Sequence, residues 1–287
     1  MRCLFRSRSR QRGVALLVVL WACTLLAILL GGFAMLARTE GLQARYQFAQ
    51  TQAHYAAEAG LARAIWGVQD PLPARRWRAD GRPYTFRYDN ATVRVSAIDE
   101  GGKVDLNSAA PEVLQGLFRA AGQDPRAARE LAAAVVNWRS YTSDAGGAAA
   151  LQPTAGADGR PRHAPFASIE ELQQVRGMTP ALYRTVASQI TIWSGRESPD
   201  PDSAPPMALA AIPGMTAQQA AQIAAAKRSG DPGVGLSASN ATTQSIRAEA
   251  TLADGTRAVV RATIRLRGVQ PGAQPYAVLH WQEGDGE

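Results

Sequence analysis

The stretch that decides the fold lies at the start of the chain, where residues 1–13 read MRCLFRSRSRQRG and residues 14–36 read VALLVVLWACTLLAILLGGFAML. The first part contains five arginines and no acid, and the second contains no charged side chain. An apolar run of this length is enough for one bilayer crossing, which takes about 20 residues. In lipid it must be a helix, because only a helix satisfies its own backbone groups there. Since arginines stay on the cytoplasmic side, the sequence predicts that the chain after Arg38 lies outside the cytoplasm.

Two simpler interpretations of this stretch are a cleaved signal peptide and a plain single-pass anchor. A cleaved signal peptide usually has an apolar core of about 7–15 residues that ends in a small-residue cleavage site. Here the core is longer, and no such site follows Leu36. A plain single-pass anchor remains as the second alternative, because hydropathy alone does not distinguish it.

The junction between the two parts, QRGVALL at residues 11–17, carries more information. A short basic leader that ends in glycine and meets the apolar helix directly resembles the class III leader of type IV pilins and type II secretion pseudopilins. The resemblance implies that a membrane prepilin peptidase cuts between Gly13 and Val14 and methylates the new amine. On that basis residues 1–13 are a leader that the mature chain lacks.

Position 18 indicates more closely which kind of pilin-like subunit the chain resembles. The fifth residue after the implied cleavage is Val18, where most pilin-like subunits carry Glu. A lone carboxylate inside a bilayer is costly unless it is paired, and in the family this Glu is thought to neutralise the amine of the neighbour above. A subunit with nothing above it has no such amine to neutralise. In this departure, and in the residues VALLVVLW, the chain resembles the minor pseudopilin K of type II (general) secretion systems.

This resemblance implies a function and a location. The chain would be a non-enzymatic, single-pass protein of the inner membrane with its bulk in the periplasm. It would form the tip of the periplasmic pseudopilus and support the export of folded proteins across the outer membrane. The implied partners are other minor pseudopilins, the major pseudopilin, the prepilin peptidase, the inner-membrane assembly platform and the lipid bilayer.

Charge and cysteine content exclude other classes. The net charge of +7 suggests nucleic-acid binding, but loss of the five leader arginines leaves about +2. Only Lys103 and Lys227 are lysines, so an arginine-rich coding bias explains the basic composition better than a binding surface. The two cysteines are Cys3 in the leader and Cys23 in the apolar run, and neither can staple an external domain. We therefore expect no nucleic-acid partner and no disulfide.

The remaining pattern predicts an α+β fold. The N-terminal helix should run unbroken from residue 14 to 68 and end before Pro71 and Pro73. Alternating runs predict a hairpin at residues 83–88 and 92–98, a second at 245–252 and 257–266, and an edge strand at 276–281. Because two-stranded sheets are too small to stand alone, these strands should form one small antiparallel sheet.

The segment between the hairpins is alanine-rich and helical in pattern. The expected domains are therefore a leader (1–13), the transmembrane part of the helix (14–37), its periplasmic continuation (38–70), a pseudopilin-type α/β domain (71–102 with 240–287) and a large inserted all-α domain (103–239).

Residue types mark the starts of the inserted helices. Asn107 or Ser108 is the expected N-cap of the first, and Asp124 with Pro125 should open the second. Ser168 and Glu171 form a capping-box pattern for a third. A fourth helix is expected from Pro180 to about residue 192, followed by a pair at 207–211 and 216–227.

Three inserted segments resemble helix-hairpin-helix (SAM-like) modules: KVDLNSAAPEVLQGLF at 103–118, EELQQVRGMTPALYRTVASQI at 170–190 and LAAIPGMTAQQAAQIAAAK at 209–227. This leaves an alternative function, a membrane-anchored DNA-binding protein of a DNA-uptake apparatus. DNA-binding versions offer backbone N–H groups of a glycine-rich hairpin to a phosphate. Here each hairpin has a single glycine (Gly177, Gly214) and few flanking basic residues, so helical packing is favoured. The order of these segments after K-D-L-N-S also resembles K-type minor pseudopilins.

The family resemblance further implies a calcium site in the loop after Trp138. This sequence departs from it, since Asn137, Ser140 and Thr142 stand where acids are expected, and Asp144 is the only acid between Asn137 and Gly156. Calcium draws its affinity from carboxylates, so we assign no metal.

No catalytic motif appears either, which leaves a third hypothesis, a periplasmic enzyme, without support. His54, His163 and His280 are far apart in sequence, and residues 233–238 match a dinucleotide fingerprint only by letters, without the strand it needs. We expect neither catalytic residues nor a cofactor.

Overall fold

A computed structural model describes residues 14–72, 74–140, 163–229, 242–267 and 274–284. Its first element, α1, is one unbroken helix of 55 residues, Val14–Val68. At 1.5 Å per residue it is roughly 80 Å long. The run contains no proline, and the helix ends three residues before Pro71. The predicted continuous helix is confirmed.

Five antiparallel strands form the sheet. In chain order they are β1 (Asp80–Tyr88), β2 (Ala91–Asp99), β5 (Thr243–Leu252), β6 (Arg257–Leu266) and β7 (Tyr276–Glu283). Two further short strands lie in the chain between β2 and β5 and are described below. They are also neighbours in that order, so β2 pairs directly with β5 although some 140 residues separate them in the chain. Asp89, with φ 52°, turns the first hairpin, and Gly255, with φ 88°, turns the second. The two hairpins therefore belong to one sheet.

Helix α1 lies along one face of this sheet and closes a core of small side chains. The buried residues of α1, all in its C-terminal part, are Ala53, Ala56, Ala57, Gly60, Leu61, Ala64, Ile65 and Val68. They pack on inward-facing residues of the central strands, such as Val93, Val95, Ala248 and Val260. Gly60 is the point of closest approach, because a Cβ there would lie 2.6 Å from Cγ1 of Val93. Alanine and glycine are used so that the helix backbone can lie close to the sheet.

The chain between β2 and β5 has a second hydrophobic core. Its elements are β3 (Val104–Asp105), α2 (Pro111–Ala120), α3 (Pro125–Arg139), α4 (Pro180–Val186), β4 (Ile190–Thr191), α5 (Pro206–Ala210) and α6 (Ala217–Ser229). The core is centred on fully buried Leu114, Leu117, Phe118, Leu172 and Leu209. We call residues 103–239 the insertion. With the long helix and the antiparallel sheet, it confirms the predicted α+β fold class.

The insertion is not helical throughout. Strands β3 and β4 pair in parallel, Val104 with Ile190 and Asp105 with Thr191. The fourth helix was predicted to reach residue 192, but α4 ends at Val186 and a single 3-10 turn leads into β4. Ile190 is a β-branched residue that this short ladder buries completely. Pairing across more than eighty residues of sequence overrides the local helical pattern.

Of the predicted N-caps of α2 and α3, the one at α3 is confirmed and the one at α2 is wrong. Asp124 caps α3 as expected, since its carboxylate accepts from the backbone N–H groups of Arg126 and Ala127. The N-cap of α2 is Ala110, not Asn107 or Ser108. Asn107 instead donates to the carbonyl of Phe166 (3.0 Å) and accepts from its N–H (2.7 Å). The amide side chain joins two distant loops, which satisfies more buried groups than a cap would.

The capping-box prediction at Ser168 was wrong. Ser168 makes no side-chain hydrogen bond to the first turn, and the element that follows, Ile169–Gln174, is a 3-10 helix. Glu171 does accept from the N–H of Ala167, at 3.4 Å. Ala167 precedes the expected N-cap, so this contact is not part of the predicted reciprocal pair.

Candidate assembly surface

The first part of α1 has no partner within the described chain. Every residue from Val14 to Gln47 is exposed, including the large apolar side chains Leu16, Trp21, Phe33 and Leu42. This helix is long and apolar enough to cross a membrane. A continuous apolar surface of this size is stable only against lipid or against other apolar helices.

The residues predicted to matter for processing lie at or next to the start of this helix. Val14 is the first residue of α1. Gly13, like the rest of residues 1–13, lies outside the described residues. Val18 lies one turn further along and is 61% exposed. No acid occurs in α1 before Glu40, so the apolar surface carries no charge to be matched by a neighbour.

Beyond the apolar run, a row of exposed aromatic side chains continues along α1. It consists of Phe48, Tyr55 and Trp66, and Trp66 is 80% exposed. Their spacings of 7 and 11 residues correspond to about two and three helical turns, which places them on one face. We call these three residues the aromatic stripe. Large exposed aromatic side chains in a row are typical of contact surfaces between proteins.

The end of the sheet nearest the apolar run is fixed by contacts of Gln52. Its Nε2 donates to Oδ2 of Asp89 (3.2 Å) and to Oδ1 of Asn90 (3.1 Å) in the β1–β2 turn. A shallow apolar groove lies beside this contact, lined by Phe48, Tyr55, Tyr88 and Leu252 among others. Both hairpin turns therefore lie at the end of the sheet nearest the apolar run, and the aromatic stripe begins there.

The insertion leaves the sheet at its opposite end. It starts after Asp99, the last residue of β2, and the chain returns at Thr243, the first residue of β5. A strand of nine residues spans about 30 Å, so the insertion begins roughly that far beyond the hairpin turns. Stacking of Trp193 on His280 of β7 holds it there, with ring centroids 6.4 Å apart. The mass of the insertion thus lies at the end of the sheet farthest from the apolar run.

Loops of the insertion are fastened by one buried acid, Asp105. Its Oδ1 accepts from the N–H groups of Asn107 (2.8 Å) and Ser108 (3.2 Å). Its Oδ2 accepts from Gly195 N–H (2.7 Å) and from the hydroxyl of Ser194 (3.1 Å). The carboxylate is thus surrounded by donors of its own chain, and its role here is to join two loops.

Arg139 supports the same region. It donates to the carbonyl oxygens of Leu106 (2.8 Å) and Ala109 (2.6 Å). Burial lowers the pKa of this guanidinium, and the negative charge of Asp105 opposes that shift. Arg139 therefore keeps its charge at neutral pH.

The two hairpin glycines serve the packing of the insertion. Gly177 and Gly214 have φ of 93° and 82°, a conformation that other residues rarely adopt. The methionines that follow them, Met178 and Met215, pack against the core of the insertion. Packing of these methionines against the core therefore explains the sequence of both hairpins.

No metal site forms in the part of the chain that the structure describes, because no three His, Cys, Asp or Glu side chains come together there. Asn137 lies in α3 and Ser140 directly after it, where the Ser140 hydroxyl donates to the carbonyl of Val136. Thr142, Asp144 and Gly156 lie outside the described residues, as do residues 233–238.

Sequence reasoning missed the aromatic stripe. The small residues of α1 pack on the sheet, and the exposed aromatic residues form a second row along the same helix. Their spacing of 7 and 11 residues was the available signal, since both intervals return to the same side of a helix.

Comparisons with known proteins agree with this architecture. The family model described as "Type II secretion system (T2SS), protein K" matches residues 93–195. No curated protein sequence matches the chain. A chain in the crystal structure of the GspK–GspI–GspJ complex from the type 2 secretion system of enterotoxigenic Escherichia coli is similar in structure, with a TM-score of 0.56 and 15% identity. The similarity covers 87% of this chain and 100% of that one.

These findings agree with the resemblance found in the sequence. The family model covers most of β2, which is the second strand of the first hairpin, and the insertion as far as Gly195. The insertion is the part that distinguishes this fold from a simple helix and sheet. The fold similarity extends beyond that segment. The resemblance of this chain to the minor pseudopilin K of type II secretion systems is therefore confirmed.

Proposed function

We propose that this minor pseudopilin forms the tip of the periplasmic pseudopilus. The observation that carries the proposal is the position of the insertion, at the end of the sheet farthest from the apolar run of α1. In a filament whose subunits pack their N-terminal helices side by side, each globular part must fit between those above and below. About half of this chain would occupy the space of the next subunit, so it fits only as the last layer.

The proposal includes anchoring and processing. The apolar part of α1 would cross the inner membrane once and leave the sheet and insertion in the periplasm. The prepilin peptidase would cut between Gly13 and Val14 and methylate the new amine. Val18 supports the tip position independently, because a last subunit needs no carboxylate to neutralise an amine above it.

The proposed partners are those of an assembling filament: other minor pseudopilins, the major pseudopilin, the inner-membrane assembly platform and the lipid bilayer. The solved complex with the similar fold contains GspI and GspJ, which supports minor pseudopilins as direct neighbours. The aromatic stripe of α1 offers them a contact surface. The chain would act without catalysis or cofactor, by helping the filament to move folded proteins across the outer membrane.

Native mass spectrometry of the chain co-expressed with its pseudopilins and peptidase tests the proposal. We expect a hetero-oligomer that holds one copy of this chain, with a mass that lacks residues 1–13 and includes one added methyl group. A chain that polymerises by itself would contradict the tip position. Retention of Met1, or cleavage after Leu36, would contradict the pilin-like processing.

A further inference from the structure

The apolar side of the sheet extends one strand beyond the helix that covers it. Helix α1 lies over β2, β5 and β6. In the β6–β7 pair, buried Ala262 is opposite Trp281. Buried Ile264 is likewise opposite Val278. Because residues that pair directly across two strands lie on the same face of a sheet, Val278 and Trp281 lie on the face that carries α1. We call these two residues the β7 strip.

The other edge of the same face is closed by an aromatic side chain. In β1, Tyr84 and Phe86 lie on the face that carries α1. Trp77, from the segment between α1 and β1, stacks on Tyr84 with ring centroids 4.2 Å apart and lies 6.5 Å from the ring of Phe86. It also lies against α1, since a Cβ added at Gly67 would be 2.6 Å from its ring. Trp77 therefore fills the angle between the helix and this edge strand.

The β7 strip has no such cover within the described part of the chain, since Val278 is 47% exposed and Trp281 is 38% exposed. The described residues bridge the angle between α1 and β7 near one end, where Nε2 of His54 lies 3.9 Å from Oε1 of Glu283. Exposed apolar side chains that adjoin a core are typical of contact surfaces between proteins. The fold thus leaves an apolar notch where the other edge holds Trp77.

Lipid is too far away to cover the β7 strip. His54 is the residue of α1 that approaches β7, and it lies 18 residues after Leu36, the end of the apolar run. At 1.5 Å per residue the helix rises roughly 27 Å between them. Because β6 leads away from the turn nearest the apolar run, Trp281 and Val278 lie farther from the lipid than Glu283 does. Hydrocarbon tails therefore do not reach the notch.

The insertion contacts the opposite face of β7. His280 pairs with Thr263, which alternates with the inward residues of β6, and its ring stacks on Trp193 with centroids 6.4 Å apart. Arg265, on the same outer face, donates to the carbonyl of Trp193 at 3.5 Å. These contacts hold the insertion to the outer face and leave the β7 strip open to a separate molecule.

The geometry of the proposed filament indicates which molecule this is. Subunits that pack their N-terminal helices side by side place their globular parts beside one another, so a neighbour lies at an edge of this sheet. The β1 edge is closed by Trp77, and the β7 edge is open. Tyr276–Glu283 contains no Lys or Arg and a single acid at its end, which suits an apolar contact. We infer that an apolar side chain of another minor pseudopilin packs between α1 and β7, against the β7 strip.

This inference rests on the proposed function, and it is tested on the full chain co-expressed with other minor pseudopilins and purified in detergent. V278S/W281S removes the apolar side chains of the strip. The matched control L72S/I98S removes two similarly exposed apolar side chains from outside it. In co-purification titrations we expect V278S/W281S to weaken assembly by more than about tenfold, as loss of buried anchors does, and the control to change it by less than about twofold.

Hydroxyl-radical footprinting of the wild type adds a readout that needs no substitution, so a loss of β7 stability does not affect it. We expect labelling of Trp281 to fall severalfold on assembly and labelling of Ile98 to stay unchanged. Normal assembly of V278S/W281S, or equal labelling of Trp281 in the free and assembled chain, would overturn the inference and leave the proposed function standing. A wild type that does not assemble would overturn both.

Other occupants of the notch are tested with the chain alone. Trp281 should stay fully labelled in phosphatidylcholine nanodiscs without partners and in detergent as the concentration of the chain is raised. Protection in the nanodiscs would show that lipid covers the β7 strip, and protection that grows with concentration would show that a second copy does. Either result would overturn the inference.

Discussion

Gly60 shows at the scale of one residue how closely α1 approaches the sheet. An added Cβ would lie 2.6 Å from Cγ1 of Val93 and 3.1 Å from Cγ2 of Val95. We predict that Gly60→Ala lowers the free energy of unfolding by about 1–3 kcal/mol, because the helix must move outward or the valines must shift. Thermal unfolding of the full chain in detergent, followed by circular dichroism, measures the effect.

Gly41→Ala is the matched control for this prediction. It lies in the same helix with no heavy atom within 4 Å of the added Cβ. Alanine there should be neutral or should stabilise the helix by about 0.5–1 kcal/mol. Equal melting temperatures for the two variants would show that the approach of α1 to the sheet is not as tight as described.

Asp105 is the residue on which the loops of the insertion depend. Replacing it by alanine removes the side-chain acceptor of three backbone N–H groups and of the Ser194 hydroxyl. Hydrogen bonds to a charged group contribute about 1.5–3 kcal/mol each and are not additive, so we predict a loss of about 2–4 kcal/mol. Near-ultraviolet circular dichroism of Trp138 and Trp193 should report it. Asp124→Ala, at the exposed cap of α3, should cost clearly less; a reversed order would contradict the buried role of Asp105.

At this scale, sequence predicted some contacts and missed others for a physical reason. Asp124 was read correctly because a cap depends on neighbours within three residues. Asn107 was assigned wrongly and the role of Asp105 was not predicted, because their partners Phe166 and Gly195 lie 59 and 90 residues away. Local patterns carry no information about such partners.

Among the elements, helix α1 was the easiest to predict from the sequence, whereas the aromatic stripe on its exposed side was not predicted. Its length follows from an apolar run, the absence of proline and the stop at Pro71. The one-residue alternation of the strands similarly predicted both hairpins. The short β3–β4 ladder could not be predicted, since two residues per strand show no periodicity.

The aromatic stripe makes a prediction about α1 as an assembly element. Tyr55 and Trp66 are exposed, so Y55S/W66S should change the stability of the chain by less than about 0.5 kcal/mol. If the stripe contacts a neighbouring subunit, the same variant should weaken assembly with the other minor pseudopilins by more than about tenfold, as loss of buried aromatic anchors does. Co-purification titrations measure it, with Q115S/R129S on the insertion as control. Unchanged assembly would exclude the stripe from the interface.

The loop that follows α3 makes a prediction about metal. Because acids are sparse between Asn137 and Gly156, it should hold no calcium tightly, and adding a chelator should leave the melting temperature within about 1 °C, far below the several degrees of a bound ion. Differential scanning calorimetry with and without added calcium is the measurement. A large calcium-dependent rise would show that ligands come from elsewhere, such as Asp200 and Asp202.

At the scale of the whole molecule, the apolar run and the insertion lie at opposite ends of the folded structure. The apolar half of α1 lies at one end, and the insertion lies beyond the far end of the sheet. Sequence predicted both parts, and the structure adds that β2 ends and β5 begins at the end of the sheet away from the apolar run. That placement depends on the direction of α1 along the sheet, which the contact of Gln52 with the β1–β2 turn reveals.

The central claim, that this chain is the last layer of the filament, is tested most directly by cysteine cross-linking of assembled filaments. In a Cys23→Ala background, Asn90→Cys places a thiol at the turn nearest the apolar run and Glu112→Cys places one on the insertion, both exposed. A tip subunit has neighbours on the membrane side only. We predict that position 90 cross-links to other pseudopilins and that position 112 never cross-links to the major pseudopilin. Cross-links from position 112 to the major pseudopilin, or from either position to further copies of this chain along the filament, would contradict the account.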